Sequence, residues 1–324
     1  MRPRNLLLFV LFVLIAGFTL RALRARRSPP AEEAFVAVNS APVWSRVAEV
    51  REVVVRTPNG ERLWVEERRR GWARVRTQAA QEGWIEERFL VGRDVFDRSE
   101  RLARESAARK PQAIGQTRVL SNLHPDPGRN TPRLYQLPKG EAVEVLARAA
   151  VERPMESPVG EKETSEAQAV PAEVRKEDWY LVRRRATPHR VGWLLARFVD
   201  LNLPEEIESL VGEKRIVSAY EMRAPSDDRD RPSYLVALVE RGEGLPYDFS
   251  AIRVFTWNTK RGQYETAYVE SGLEAFWPIE VMQKDNGRVF SFEADERGQR
   301  VMREYRMEGV VVRRLRAKRT VAAR

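Results

Sequence analysis

Two stretches decide the reading of this chain. The first is Gly71-Trp-Ala-Arg-Val-Arg76 followed by Gly83-Trp-Ile-Glu-Glu-Arg-Phe-Leu90. The second is Asp178-Trp-Tyr-Leu-Val-Arg183 followed by Gly192-Trp-Leu-Leu-Ala-Arg-Phe-Val199. Trp72 aligns with Trp179, Val75 with Val182, Gly83-Trp84 with Gly192-Trp193, and Arg88-Phe89 with Arg197-Phe198. Upstream, Gly60-Glu-Arg-Leu-Trp-Val65 matches Gly140-Glu-Ala-Val-Glu-Val145. Each unit alternates apolar and polar residues between glycine-bearing turns, which is the pattern of short antiparallel strands with one buried face. The chain therefore contains a duplicated β module.

The order of these elements resembles the bacterial SH3 (SH3b) family of small β-barrels. That family shows an asparagine-valine-arginine stretch leading to a proline turn, then a lysine-glycine pair, an alternating strand and a closing glycine-tryptophan strand. In the second copy, Asn122, Leu123 and Pro127 of Ser121-Asn-Leu-His-Pro-Asp-Pro-Gly128 stand in the first stretch, His124 takes its arginine position, and Lys139-Gly140 supplies the pair. The first copy has Val53-Val-Val-Arg-Thr-Pro-Asn59 before Gly60, with no clear counterpart of the family's opening. The resemblance covers residues 35–92 and 113–202. It implies recognition of cell-wall glycopeptide, or of a protein or peptide partner, through an aromatic groove. The candidate groove residues are Trp72, Trp84, Tyr135, Trp179, Tyr180 and Trp193. The competing reading is that these aromatics are the core of barrels too small to have much other core.

Between Gly140 and Trp179 the second copy is 27 residues longer than the first between Gly60 and Trp72. The excess, within 149–177, has no aromatic, three prolines and seven glutamates, and reads as a disordered insertion. Residues 93–112 read as a helical connector, with Asp94 as N-cap and Pro111 as stop. Residues 203–318 read as a β-rich domain, a small antiparallel sandwich or barrel. Ile252–Trp257 and Tyr264–Tyr268 form a hairpin in it. A basic tail, 319–324, closes the chain.

The net charge of +10, from 57 basic and 47 acidic residues, sits at the two ends. Residues 1–30 and residues 309–324 each carry +6 and no acid, leaving −2 for the body between them. Only eight of the basic residues are lysine. A nucleic-acid binder should concentrate its charge on a folded face, so no nucleic-acid partner is expected. The uncharged run Leu6–Leu20 is flanked by Arg2 and Arg4 on one side and by Arg21, Arg24, Arg26 and Arg27 on the other. It lacks the small-residue pattern of a cleavage site, and flanking arginines can snorkel. An uncleaved single-pass signal anchor is expected over a cleaved signal or a buried helix. The flanking charges are nearly balanced, so the extracytoplasmic placement of the domains rests on the family resemblance.

The chain has no cysteine and two histidines, His124 and His189. That excludes disulfides and thiolate chemistry and leaves little for a zinc site. Nucleotide-, phosphate- and metal-binding signatures and the nucleophile elbow are absent, and neither histidine has a visible catalytic partner. Ser226-Asp-Asp-Arg-Asp230 reads as a solvated loop. The expectation is a mainly β, non-catalytic protein without cofactor or metal: an N-terminal transmembrane helix, two SH3-like β-barrels and a C-terminal antiparallel β-domain. Its partners would be the membrane and an envelope ligand. The alternative is a tethered scaffold, in which the barrels are spacers and the C-terminal domain recognises the partner.

Overall fold

The computed structural model describes residues 32–153, 175–187, 189–222, 231–284 and 287–315. It separates after Arg93 into two compact units, and each is taken by itself.

The first unit holds the first module. Its strands are β1 (Glu32–Val36), β2 (Ser40–Trp44), β3 (Val53–Pro58), β4 (Arg62–Arg69), β5 (Trp72–Arg76), β6 (Glu82–Glu86) and β7 (Leu90–Gly92). They form one sheet of order β3-β2-β6-β5-β4-β1-β7. Strand alternation sends Ala41, Val43, Leu63, Val65, Ala73, Val75 and Ile85 to a single buried cluster. The same alternation sends Trp44, Trp64, Trp72 and Trp84 the other way, and all four are half-buried. Glycine is required at Gly83: a Cβ there would lie 2.6 Å from the Trp44 carbonyl oxygen.

The second unit opens with helix α1 (Arg93–Ser106). The module that follows contains β8 (Ala113–Thr117), β9 (Ser121–Leu123), β10 (Tyr135–Leu137), β11 (Ala142–Glu152), β12 (Lys176–Arg184), β13 (Val191–Leu195) and β14 (Val199–Leu201). Five of these form a sheet of order β13-β12-β11-β8-β14, while β9 and β10 pair only with each other. Gly192 repeats the close approach of Gly83: a Cβ would meet Leu123 Cβ at 2.9 Å and the His124 carbonyl at 3.1 Å. The β11–β12 ladder runs out to Glu152 and Lys176. Residues 149–152 and 176–177 of the expected disordered insertion are therefore paired strand, because Ala149 and Val151 continue the alternation of β11. Residues 154–174 lie outside the described residues.

Helix α2 (Glu205–Leu210) then leads to β15 (Arg215–Met222), β16 (Ser233–Val239), β17 (Phe249–Asn258), β18 (Gln263–Lys284), β19 (Gly287–Glu296), β20 (Gln299–Glu308) and β21 (Val311–Arg314). These make a seven-stranded antiparallel sheet in strict chain order. One face buries Phe249, Phe290, Phe292 and Tyr305. The other buries Phe255, Val236 and Leu238 with Ile207 and Val211, the latter two from and just after α2. Between β17 and β18, Asn258 Oδ1 accepts from the amides of Lys260 and Arg261, and Trp257 packs edge-on against Tyr264 at 5.1 Å.

Three expectations are corrected. The modules are open sheets, not closed barrels. In the first, β3 and β7 end the sheet without pairing to each other, and β2 meets β6 at a single registered pair, Trp44 with Trp84. In the second, the β9–β10 ribbon joins no ladder of the larger sheet, and one isolated bridge just past β9, His124 with Trp193, links them. The segment beyond it carries Pro125, Pro127 and Pro132, which have no N–H to extend a ladder. The C-terminal region is a single meander sheet, neither sandwich nor barrel. The third correction concerns the transmembrane helix. Among the described residues no helix is long and apolar enough to cross a membrane. Leu6–Leu20 and its flanking Arg2, Arg4, Arg21, Arg24, Arg26 and Arg27 lie outside those residues, and the helix is withdrawn from the architecture.

Candidate functional site

The duplicated modules place equivalent aromatic side chains in different surroundings. In the first, Trp44, Trp84 and Trp72 come from β2, β6 and β5, which are consecutive in the sheet. The loop Ser45–Glu52 folds back so that the Arg51 guanidinium carbon sits 4.4 Å from the Trp44 ring centre and 4.9 Å from that of Trp72. The rings are the partners of Arg51; among the described residues it makes no ion pair. A cation between two indoles is held by their negative faces. The loop exposes Val47 and, at 78% accessibility, Val50. Alongside the rings, Arg74 donates to Glu82 at 2.8 Å and Arg76 to Glu66 at 3.3 Å. This outward face combines flat apolar rings with a fringe of hydrogen-bonding groups.

In the second module the position of Trp44 is taken by His124 and that of Trp72 by Trp179. His124 meets Trp179 edge-on at 5.4 Å. Trp179 is 2% exposed, and its Nε1 donates to Glu177 at 3.3 Å. Glu177 is in turn clasped by Arg129 through bonds of 2.9–3.1 Å. Burial pushes the His124 imidazole below its ordinary value, so the ring is neutral near pH 7. Trp193, the counterpart of Trp84, packs against the cluster of Leu146, Leu181 and Val191, to which α1 also adds Leu102 and Ala103. Tyr135 is also buried.

Tyr180 faces the C-terminal sheet and packs 5.8 Å from Trp277. Burial pushes its hydroxyl up to about 12. Beside it a buried ionic cluster joins the module to that sheet. Arg148 donates to Asp178 at 2.7 Å, to Asp248 at 3.2 Å, and to the carbonyls of Leu245 and Tyr247. The second carboxylate oxygen of Asp178 accepts from Arg215 at 2.7 Å, and its first also takes the Gly244 amide at 2.9 Å. Gly244 has a φ of +76°, and a Cβ there would lie 2.2 Å from Lys176 Cβ. Gln112 adds a further tie, accepting from the Tyr220 hydroxyl at 2.6 Å and the Ile279 amide at 2.8 Å.

Of the six expected groove residues, then, Trp72 and Trp84 share the outward face of the first module. Tyr135, Trp179 and Tyr180 are buried, and Trp193 is half-buried. Trp44 and Arg51, both half-buried, complete the outward group and were not among the expected residues. The missed signal was Ala41-Pro-Val-Trp44, which aligns with Ser121-Asn-Leu-His124 once the glycine contacts are superposed. No group of metal-ligating side chains is present among the described residues.

No protein-family model matches the chain, and no curated protein matches it. Among solved structures it matches an NlpC/P60 family protein from Bacillus cereus at 11% identity and a TM-score of 0.20, over 55% of this chain and 61% of that one. It also matches NlpC2 from Trichomonas vaginalis, at 10% identity and a TM-score of 0.18, over 88% of this chain and 92% of that one. NlpC1 from the same organism gives 10% and 0.18, over 73% and 87%. The chain thus spans under two thirds of the Bacillus cereus protein. Likeness at these values assigns neither fold nor activity to this chain.

Proposed function

We propose that this protein is a non-catalytic recognition protein of the bacterial cell envelope. Its first SH3b-like module binds the glycopeptide polymer of the cell wall through Trp44, Trp72 and Trp84. The observation that carries this reading is the outward tryptophan face itself. Indole rings stack on flat apolar faces, such as the C–H face of a sugar, while Arg74, Arg76, Glu66 and Glu82 offer donors and acceptors around them. The loop that carries Arg51 also exposes Val47 and Val50. The domains would work on the extracytoplasmic side, where such a ligand is reachable.

The test is co-sedimentation of the full-length protein with purified peptidoglycan. Trp72→Ala and Trp84→Ala should each lower the bound fraction about tenfold, as expected for loss of a hot-spot aromatic. Retained binding in both variants, with the melting transition unchanged, would exclude this face.

The scaffold reading draws support from the Arg148–Asp178 cluster, which fastens the second module to the C-terminal sheet. On that reading the second module is a rigid base for the sheet. Partner capture would survive both tryptophan changes and be lost on removal of residues 203–318.

A further inference from the structure

A groove of about 690 Å³ runs through the second unit between the second module and the C-terminal sheet. That volume lies within the range of about 300–1,000 Å³ usual for ligand sites. Strands β14 and β15, which flank it, are both terminal strands of their sheets. Val199, Leu201, Leu203, Val211 and Ile216 supply its apolar wall. Five cationic side chains line it, Arg118, Arg197, Lys214, Arg215 and Arg241, against three acidic ones, Asp200, Glu208 and Glu243.

The cations are not equally committed. Arg118 is paired with Asp200 at 2.5 Å, Arg215 with buried Asp178 at 2.7 Å, and Lys214 with Glu240 at 2.7 Å. Arg197 is held loosely, at 3.4 Å from Glu243 and 3.7 Å from Glu177. Arg241 donates Nε to the Glu213 carbonyl at 2.7 Å and meets no carboxylate among the described residues. Arg241 and Arg197, both exposed, thus retain donors and charge for a ligand, and hydrogen bonds between ionised groups are the stronger kind.

We infer that this groove binds an extended acidic peptide, its carboxylates meeting Arg197 and Arg241 and its apolar side chains resting on Leu201, Val211 and Ile216. An extended chain suits a cleft bounded by two sheet edges, where alternate side chains can point to opposite walls. Arg241, without a carboxylate partner among the described residues, and the loosely held Arg197 favour acidic over basic chains. The site is separate from the tryptophan face of the first module.

The experiment is a calorimetric titration of the full-length protein with a blocked synthetic peptide alternating leucine and glutamate. Its analogue with glutamine at every glutamate serves as the comparison. The acidic peptide should bind one-to-one, with the glutamine analogue at least about tenfold weaker and the affinity falling with added salt. Arg241→Glu should weaken binding about tenfold, and Arg241→Ser less; both leave the melting transition in place because Arg241 is tied only to a surface carbonyl. Trp72→Ala should leave the titration unchanged, which separates this site from the first module. Absence of binding, equal binding of the two peptides, or full binding by Arg241→Glu would overturn the inference.

Discussion

The two modules carry equivalent aromatic positions, yet Trp72 stays half-buried in one while Trp179 is closed off in the other. Around Trp72 the neighbours are Trp44 and a loop arginine, and the rings stay half-buried. Around Trp179 the neighbours are His124 and the Arg129–Glu177 pair, and the ring is closed off. Trp193 packs against the same small cluster as Leu102 and Ala103 of α1, whereas Trp84 shares its face with Trp44. One module thus offers a candidate binding surface and the other forms a joint with the C-terminal sheet. Whether an aromatic of the repeated pattern is available for recognition is decided by what packs on it, not by its place in the pattern.

The sharpest way to break this contrast is through stability. Trp179→Ala should destabilise the second unit by about 3–5 kcal/mol, as for other buried tryptophans. Trp72→Ala should cost the first unit only about 1 kcal/mol, near the centre of the range for single substitutions. Chemical denaturation of each variant measures both. Equal costs would mean that the two tryptophans play the same part.

The joint can be tested at its ionic centre. Arg148→Met removes the cation shared by buried Asp178 and Asp248, leaving Asp178 to Arg215 and the Gly244 amide and Asp248 to the Trp277 amide. Removing one partner of a buried ion pair costs about 3 kcal/mol or more. The urea transition of the second unit should move to lower concentration or split in two. An unmoved transition would show that the seam contributes nothing to stability.

A smaller effect is expected from pH. Burial opposes ionisation of Asp178, but the hydrogen bond and charge of Arg148, with the Gly244 amide and Arg215, outweigh it and hold the carboxyl below its ordinary value of 3.8. The folded value is depressed, so the stabilisation from ionised Asp178 is complete above the unfolded value. It is lost as pH falls below about 3.8 through the folded one. Thermal melts of the native protein should show this acid limb, and Asp178→Asn should lack it. The same acid slope in both would place the loss elsewhere.

Much of this was legible in the sequence. The paired glycine-tryptophan strands located both modules, and the close contacts at Gly83 and Gly192 explain why glycine recurs there. The Trp257–Tyr264 pair marks the β17–β18 hairpin, where the apolar run and turn residues pointed. What could not be read was the partner of each face. Arg148 and Asp178 lie 30 residues apart on either side of a long β-hairpin, and Asp248 follows 70 residues later, so no local pattern links them. Tyr180 occupies the position of Ala73 in the first module. Its burial depends on Trp277, from a sheet whose docking leaves no periodic trace. Trp44 escaped notice because its counterpart is a histidine.

On the proposed function, the tryptophans of the first module meet ligand and those of the second do not. The direct measurement is a fluorine NMR titration of full-length protein labelled with fluorotryptophan, resonances assigned by single substitution, against soluble peptidoglycan fragments. Saturable shifts are expected for Trp44, Trp72 and Trp84, with Trp179 unmoved. Shifts confined to Trp179 and Trp193, or no shift at all, would contradict it.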